Sequence, residues 1–220
     1  MNFFKKQSGE SVVEVLVAAT LLVAVLTTAF VALNRAASAN VNVGNRIVAI
    51  NIAREGIEAV RNIRDTNWLK YSGNRREKWL CLDSLASPNE CEENSSPQLI
   101  TSGFYQVNFS ESDHRYFLVK IPGADELDIP GESVARESFR LYRDATTDKF
   151  THDDNLGSNP ATAFYRQIEI VVVSNDVCGG SGCTEEKIEV SSRVGWIEGE
   201  STKNITLETH LFDFYQRDEY

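Results

Sequence analysis

The hydrophobic pattern changes character twice along the chain. After Lys5, Lys6 and a short polar segment, about 19 uncharged residues fill positions 15–33. At roughly 1.5 Å of rise per residue that run crosses the hydrocarbon core of a bilayer as one helix. Beyond Leu33 the apolar positions thin to a single face, with Ile47, Ile50, Ala53, Ile57 and Val60 recurring at three- and four-residue steps. Arg46, Arg54, Glu58, Arg61 and Asp65 fall mostly off that face, and the pairs Arg54–Glu58 and Arg61–Asp65 have the spacing of surface ion pairs. No proline interrupts this stretch. The pattern predicts one helix over residues 10–65, membrane-spanning over about 12–33. Gly44 is its expected weak point, since glycine costs about 1 kcal/mol against alanine in a helix interior.

Residues 66–98 then turn to loop composition, with Gly73, Asn74, Pro88, Asn89 and Pro97. Trp68, Leu69, Trp79 and Leu80 are expected to dock parts of that loop on the core. Residues 104–109 and 116–121 are short β-rich runs joined through Ser110, Glu111, Ser112 and Asp113, the pattern of a hairpin. Residues 122–138 look irregular, 139–142 form a short strand candidate, and 144–160 read as a loop. The strongest alternation comes last: Ile168, Ile170 and Val172, then Ile188, Val190, Val194 and Trp196, then Ile205, Leu207 and Leu211. A turn over residues 198–201 separates the last two runs. Phe212, Phe214 and Tyr215 should finish the final strand against the helix. The predicted class is α+β, a long N-terminal helix followed by a β-rich domain over residues 66–220.

One charge lies inside the apolar block. Glu14 is flanked by Val12, Val13, Val15 and Leu16, and a carboxylate at bilayer depth costs on the order of 3 kcal/mol or more unless it finds a partner. Gly9 precedes it. The string SGESVVEVLVAATLL resembles the class III leader of type IV pilins and of the pseudopilins of type II secretion. The resemblance implies that residues 1–9 are a basic leader, cut between Gly9 and Glu10 by a prepilin peptidase. Glu14 becomes the fifth residue of the mature chain and pairs with the terminal amine of a neighbouring subunit during assembly. Glu10 stands where the family usually has phenylalanine, a departure that bears on N-methylation of the new terminus. The family also often carries a proline within the apolar run, and here none comes before Pro88.

The same resemblance implies a pilin-like fold, in which the helix packs on an antiparallel sheet with the three closing strands at its core. It further implies a structural subunit and not an enzyme, and the long loops and the acidic first mature residue point to a minor subunit. Its partners would be other pilin subunits through the N-terminal helix, the prepilin peptidase, the assembly machinery of the cytoplasmic membrane and the lipid bilayer. Two other origins of the N-terminal pattern stand beside this one. A secretory signal would use Ala37-Ser38-Ala39 as its cleavage site, although its apolar region normally runs only about 7–15 residues. A plain anchor would hold an extracytoplasmic binding or adhesin domain that never enters a filament.

Charge adds an orientation. Lys5 and Lys6 precede the span, and most of the 32 Asp and Glu residues follow it, which places the N-terminus inside and the domain outside the cytoplasmic membrane. A filament or the cell surface would be its later location. A net charge of −10 argues against nucleic acid as a partner of the domain. Lys70, Arg75, Arg76 and Lys78 form the nearest basic cluster and fit a solvated loop.

The four cysteines fall in two close pairs, Cys81 with Cys91 and Cys178 with Cys183. Three connectivities are possible. Local disulfides are favoured by an oxidising exterior and by the glycines of VCGGSGC, whereas neither pair has the C-x2-C spacing of a zinc module. In the pilin resemblance, the Cys81–Cys91 pair staples the variable loop after the helix.

No catalytic constellation or cofactor motif is present: His114, His152 and His210 are scattered, and there is no G-x-S-x-G, Walker loop or G-x-G-x-x-G. Asp144, Asp148, Asp153, Asp154 and Asn155 could offer oxygen ligands to calcium. Their spacing is not that of an EF-hand loop, and a solvated acidic loop is the expectation.

Overall fold

The computed structural model describes residues 12–73, 78–82, 99–112, 114–127, 137–155, 157–176, 184–198 and 201–212. One helix, α1 (Val12–Lys70), is followed by β1 (Gly103–Ser110), β2 (Arg115–Lys120), β3 (Arg140–Arg143), β4 (Phe150–Thr151), β5 (Ala161–Asp176), β6 (Thr184–Glu198) and β7 (Ser201–Phe212). The chain divides into two compact units, Met1–Arg46 and Ile47–Tyr220.

In the second unit, α1 buries Ala49, Ile52, Ala53, Gly56, Ile57, Ala59, Val60 and Ile63. One part of this stripe joins Tyr105, Val107, Leu118, Ile168, Ile170, Ile188, Val190 and Leu211 in a core cluster. The other part meets Leu141, Phe164, Val194 and Trp196. The fold is α+β, an apolar N-terminal helix packed against an antiparallel sheet. The buried stripe keeps Ala53, Ile57 and Val60 of the face read in the sequence but not Ile47, which is 54% exposed, and it also takes in Ala49 and Ile52.

The helix also runs past its expected end near Asp65, to Lys70. Asn67 explains the extra turn. Its side-chain amide donates to the carbonyls of Trp79 (3.1 Å) and Cys81 (2.8 Å), which ties the last turn to the segment beyond it. Trp79 and Leu80 are buried as expected, but Leu69 is 80% exposed. The surface pairing differs as well. Arg61 bonds Glu58, three residues back, and Asp65 takes Arg64 as its partner.

The seven-stranded sheet is organised around β5. Along one edge β5 pairs with β6 from Phe164↔Trp196 to Asp176↔Thr184. Its other edge is shared: β1 takes Ile168 to Ile170, and β3 takes Ala161 to Tyr165. The hairpins β1–β2 and β6–β7 close at Ser110↔Arg115 and Glu198↔Ser201. The two-residue strand β4 lies inside the stretch read as a loop, too short to carry an alternating pattern. On the sheet face away from α1, Tyr165, Phe139 and Leu127 form a smaller cluster with Phe104, Ile121 and Ala124. Gln167 sews that layer down, accepting from the Leu127 amide (2.8 Å) and donating to the Asp125 carbonyl (2.8 Å).

Candidate functional site

Gly9 and Glu10 lie outside the described residues. Glu14 lies in the first turn of α1, among exposed Val12, Val13, Val15, Leu16 and Val17. The helix is long and apolar enough in this part to cross a membrane, and none of its most apolar window is buried. Its hydroxyls fit that environment. Thr20 donates to the Val17 carbonyl (2.9 Å), Thr27 to Ala24 (3.0 Å) and Thr28 to Val25 (2.9 Å), so each is satisfied within the helix. Glu14 is therefore the one ionisable side chain between Val12 and Leu33. Such a surface can enter lipid or pack on other apolar helices, and its carboxylate seeks a cation.

Cys81 is buried and disulfide-bonded. Cys91, Cys178 and Cys183 lie outside the described residues. The acidic loop uses its carboxylates internally: Asp144 accepts from the amides of Thr146 (2.8 Å) and Thr147 (2.7 Å), Asp153 accepts from the Asn155 amide (2.8 Å), and Asp148 pairs with Arg143. The bonds from Thr147 and Thr146 hold the Asp144 carboxyl below the usual range. Among the described residues, no three His, Cys, Asp or Glu side chains come together as a metal site. Lys70 and Lys78 both approach the Tyr71 ring, at 5.2 and 5.3 Å. His114 sits in the β1–β2 turn with φ 50°, and His210 lies 3.7 Å from Glu189 on β6.

A polar cluster under α1 was not anticipated from sequence. Arg166 on β5 is only 1% exposed, at the place where β1 leaves β5 and β3 takes over its edge. The Arg166 amide bonds the Phe139 carbonyl (2.8 Å), and its Nη2 donates to the Val107 carbonyl (2.9 Å). The side chain thus supplies a bond that the diverging ladder no longer makes. Its counter-charge is Glu55 of α1, with Nη1 3.4 Å from the carboxylate. Burial pulls the guanidinium pKa down, opposed by Glu55.

Tyr116 and His152 complete the cluster. Burial and then Glu55 raise the Tyr116 phenol. His152 has its Nδ1 3.1 Å from the Arg140 carbonyl, and its Nε2 is sealed from solvent with no hydrogen-bond partner. Burial and the neighbouring Arg166 charge hold its pKa well below the ordinary histidine value. The signal in the sequence was slight: Arg166-Gln167 is a polar pair within an otherwise apolar run, FYRQIEIVVV.

Comparison with protein-family models, curated proteins and solved structures finds no match.

Proposed function

We propose that this chain is a structural subunit, a minor one, of a type IV pilus or a type II secretion pseudopilus. A prepilin peptidase cuts it between Gly9 and Glu10, and the mature helix leaves the cytoplasmic membrane to join the helices of other subunits. The observation that carries this reading is the exposed apolar part of α1, with Glu14 as its one ionisable group, on the same helix whose later turns pack on an antiparallel sheet. Gly9 stands five residues before Glu14, as the leader pattern requires. The domain then faces the cell exterior, where an oxidising milieu suits the disulfide on Cys81. We assign its partner as Cys91, with Cys178 joined to Cys183; a non-reduced peptide digest should show both links.

Processing tests the reading. Mature protein should begin at Glu10, and Gly9→Val should leave full-length precursor in the membrane, because a side chain at the cut obstructs the extended backbone a peptidase needs. A mature N-terminus near Ala39 or Asn40 would instead identify a secretory signal. Properly processed protein that stays wholly in the membrane fraction after filaments are sheared off would favour an anchored binding domain.

A further inference from the structure

We propose that His152 is an acid-operated release for the strap of residues 144–160, which carries β4. The strap lies beside the strands that flank Arg166, and apart from Phe150, whose ring packs on the Leu141–Phe164–Trp196 cluster 6.3 Å from that of Phe164, its ties to the sheet are polar. β4 pairs with β3 only at Tyr142↔Thr151 and Arg143↔Phe150. Lys149 reaches Glu111 (2.9 Å) through an exposed ion pair, and Arg143 holds Asp148 at the surface. His152 supplies the inner polar ties: its amide donates to Asn108 Oδ1 (3.1 Å) and its ring meets the Arg140 carbonyl.

The chemistry of those ties fixes the protonation state. A carbonyl only accepts, so Nδ1 carries the ring proton and Nε2 is a bare lone pair. That nitrogen is shut off from solvent with no donor or acceptor beside it. A second proton would create an N–H without an acceptor and a second cation close to Arg166. The charged and titratable groups on the surrounding elements offer little relief. On β5 stands Arg166; from α1, Glu55 is engaged by Arg166. From β2 comes Tyr116, whose raised pKa keeps it neutral. On β3, Arg140 is paired with Glu137 (2.9 Å), and on β1 Asn108 is uncharged. Within the strap, Lys149 is a further cation and Asp153 is turned to the Asn155 amide.

The direction follows from linkage. The closed strap holds His152 neutral, whereas an open strap lets it titrate near its ordinary value of about 6.5. Above that pH both states carry the same charge and the strap stays closed. Below it only the open state takes the proton, so opening gains up to about tenfold per pH unit until the closed-state pKa is reached. The rest of the sheet lacks a buried histidine of this kind: His210 on β7 is exposed beside Glu189, and β5, β6 and β7 are joined by long unbroken ladders over an apolar core.

Hydrogen exchange read by mass spectrometry on the full chain in detergent micelles tests this, with rates corrected for the intrinsic pH effect. Between about pH 7.5 and pH 5.5, peptides within 144–160 should lose about tenfold in protection while those within 188–198 and 201–212 hold theirs. His152→Gln, which keeps a neutral donor, should abolish that pH dependence. Constant protection of the strap, loss spread equally over the whole sheet, or an unchanged slope in the variant each overturns the proposal. Should the variant fail to fold, the ring of His152 in the unaltered protein decides by NMR titration. A midpoint clearly below the ordinary value supports the release, and one at or above about 6.5 rejects it.

Discussion

Gly56 on α1 and Ser192 on β6 meet so closely that a Cβ at position 56 would lie 2.6 Å from Ser192 Oγ and 2.7 Å from Ile168 Cδ1. Both neighbours are fully buried, so neither has room to yield. Gly56→Ala should therefore destabilise the domain by about 1–3 kcal/mol, although alanine is the better helix former. Gly44 has nothing within 4 Å of the same position. Gly44→Ala should not destabilise, and helix propensity favours it by about 1 kcal/mol. Urea unfolding followed by tryptophan fluorescence reads the first, and the thermal loss of helical circular dichroism reads the second. Equal stability of Gly56→Ala and the unaltered protein would refute the close approach.

The Glu55–Arg166 pair makes a second prediction. Arg166→Met keeps most of the volume but leaves the Val107 carbonyl unbonded, at about 1–3 kcal/mol. Glu55→Gln strands a buried cation, which costs about 3–5 kcal/mol in a fully buried pair. The cost here should be smaller, because the Glu55 side chain is 33% exposed and water screens it. The double variant should lose less than the sum of the two. Additive losses in a double-mutant cycle would mean that the two charges do not act on each other.

Gln167 should matter locally more than globally. Gln167→Leu leaves the Leu127 amide and the Asp125 carbonyl without their partners, a loss of about 1–3 kcal/mol. Hydrogen exchange should rise in residues 121–127 first, with β6 and β7 unaffected. Uniform loosening of the sheet would show that the glutamine supports the core itself.

Glu14 is the prediction that bears on assembly. If the chain is processed as proposed, cleavage at Gly9 would create an amine about one helical turn before it, the kind of group that a carboxylate at the edge of an apolar span needs. Glu14→Gln and Glu14→Ala should leave cleavage and membrane insertion intact but lower recovery in sheared filaments. Glu10→Ala should be milder. Undiminished recovery of the Glu14→Ala protein in filaments would remove Glu14 from the assembly step.

Some elements were legible because their pattern is local. The β1–β2 and β6–β7 hairpins were placed within a residue or two by alternation and turn composition. β5 was not: only Ile168 to Val172 was read, although the strand begins at Ala161. Phe164 and Arg166 face α1 while Tyr165 and Gln167 are buried on the opposite side, and a strand covered on both faces loses its alternation. The buried stripe of α1 was mis-set by a few residues for a related reason. Helical periodicity states that a face exists, but which residues it covers is set by the sheet opposite, and Ile47 is turned to solvent where its neighbours Val48 and Ala49 are packed.

What the sequence alone determined is whatever depends on neighbours a few residues away. An apolar run of bilayer length, the carboxylate within it, the glycine before it and the alternation of the closing strands are all of this kind. The tertiary structure decided the rest, because its causes are far apart in the chain. Arg166 reaches Val107 across 59 residues, and Gln167 reaches Leu127 across 40. Gly56, which reads as an indifferent helix position, became the point of closest approach once Ser192 was set opposite it. No local period encodes such a meeting, since it is set by which strands pair and in what register.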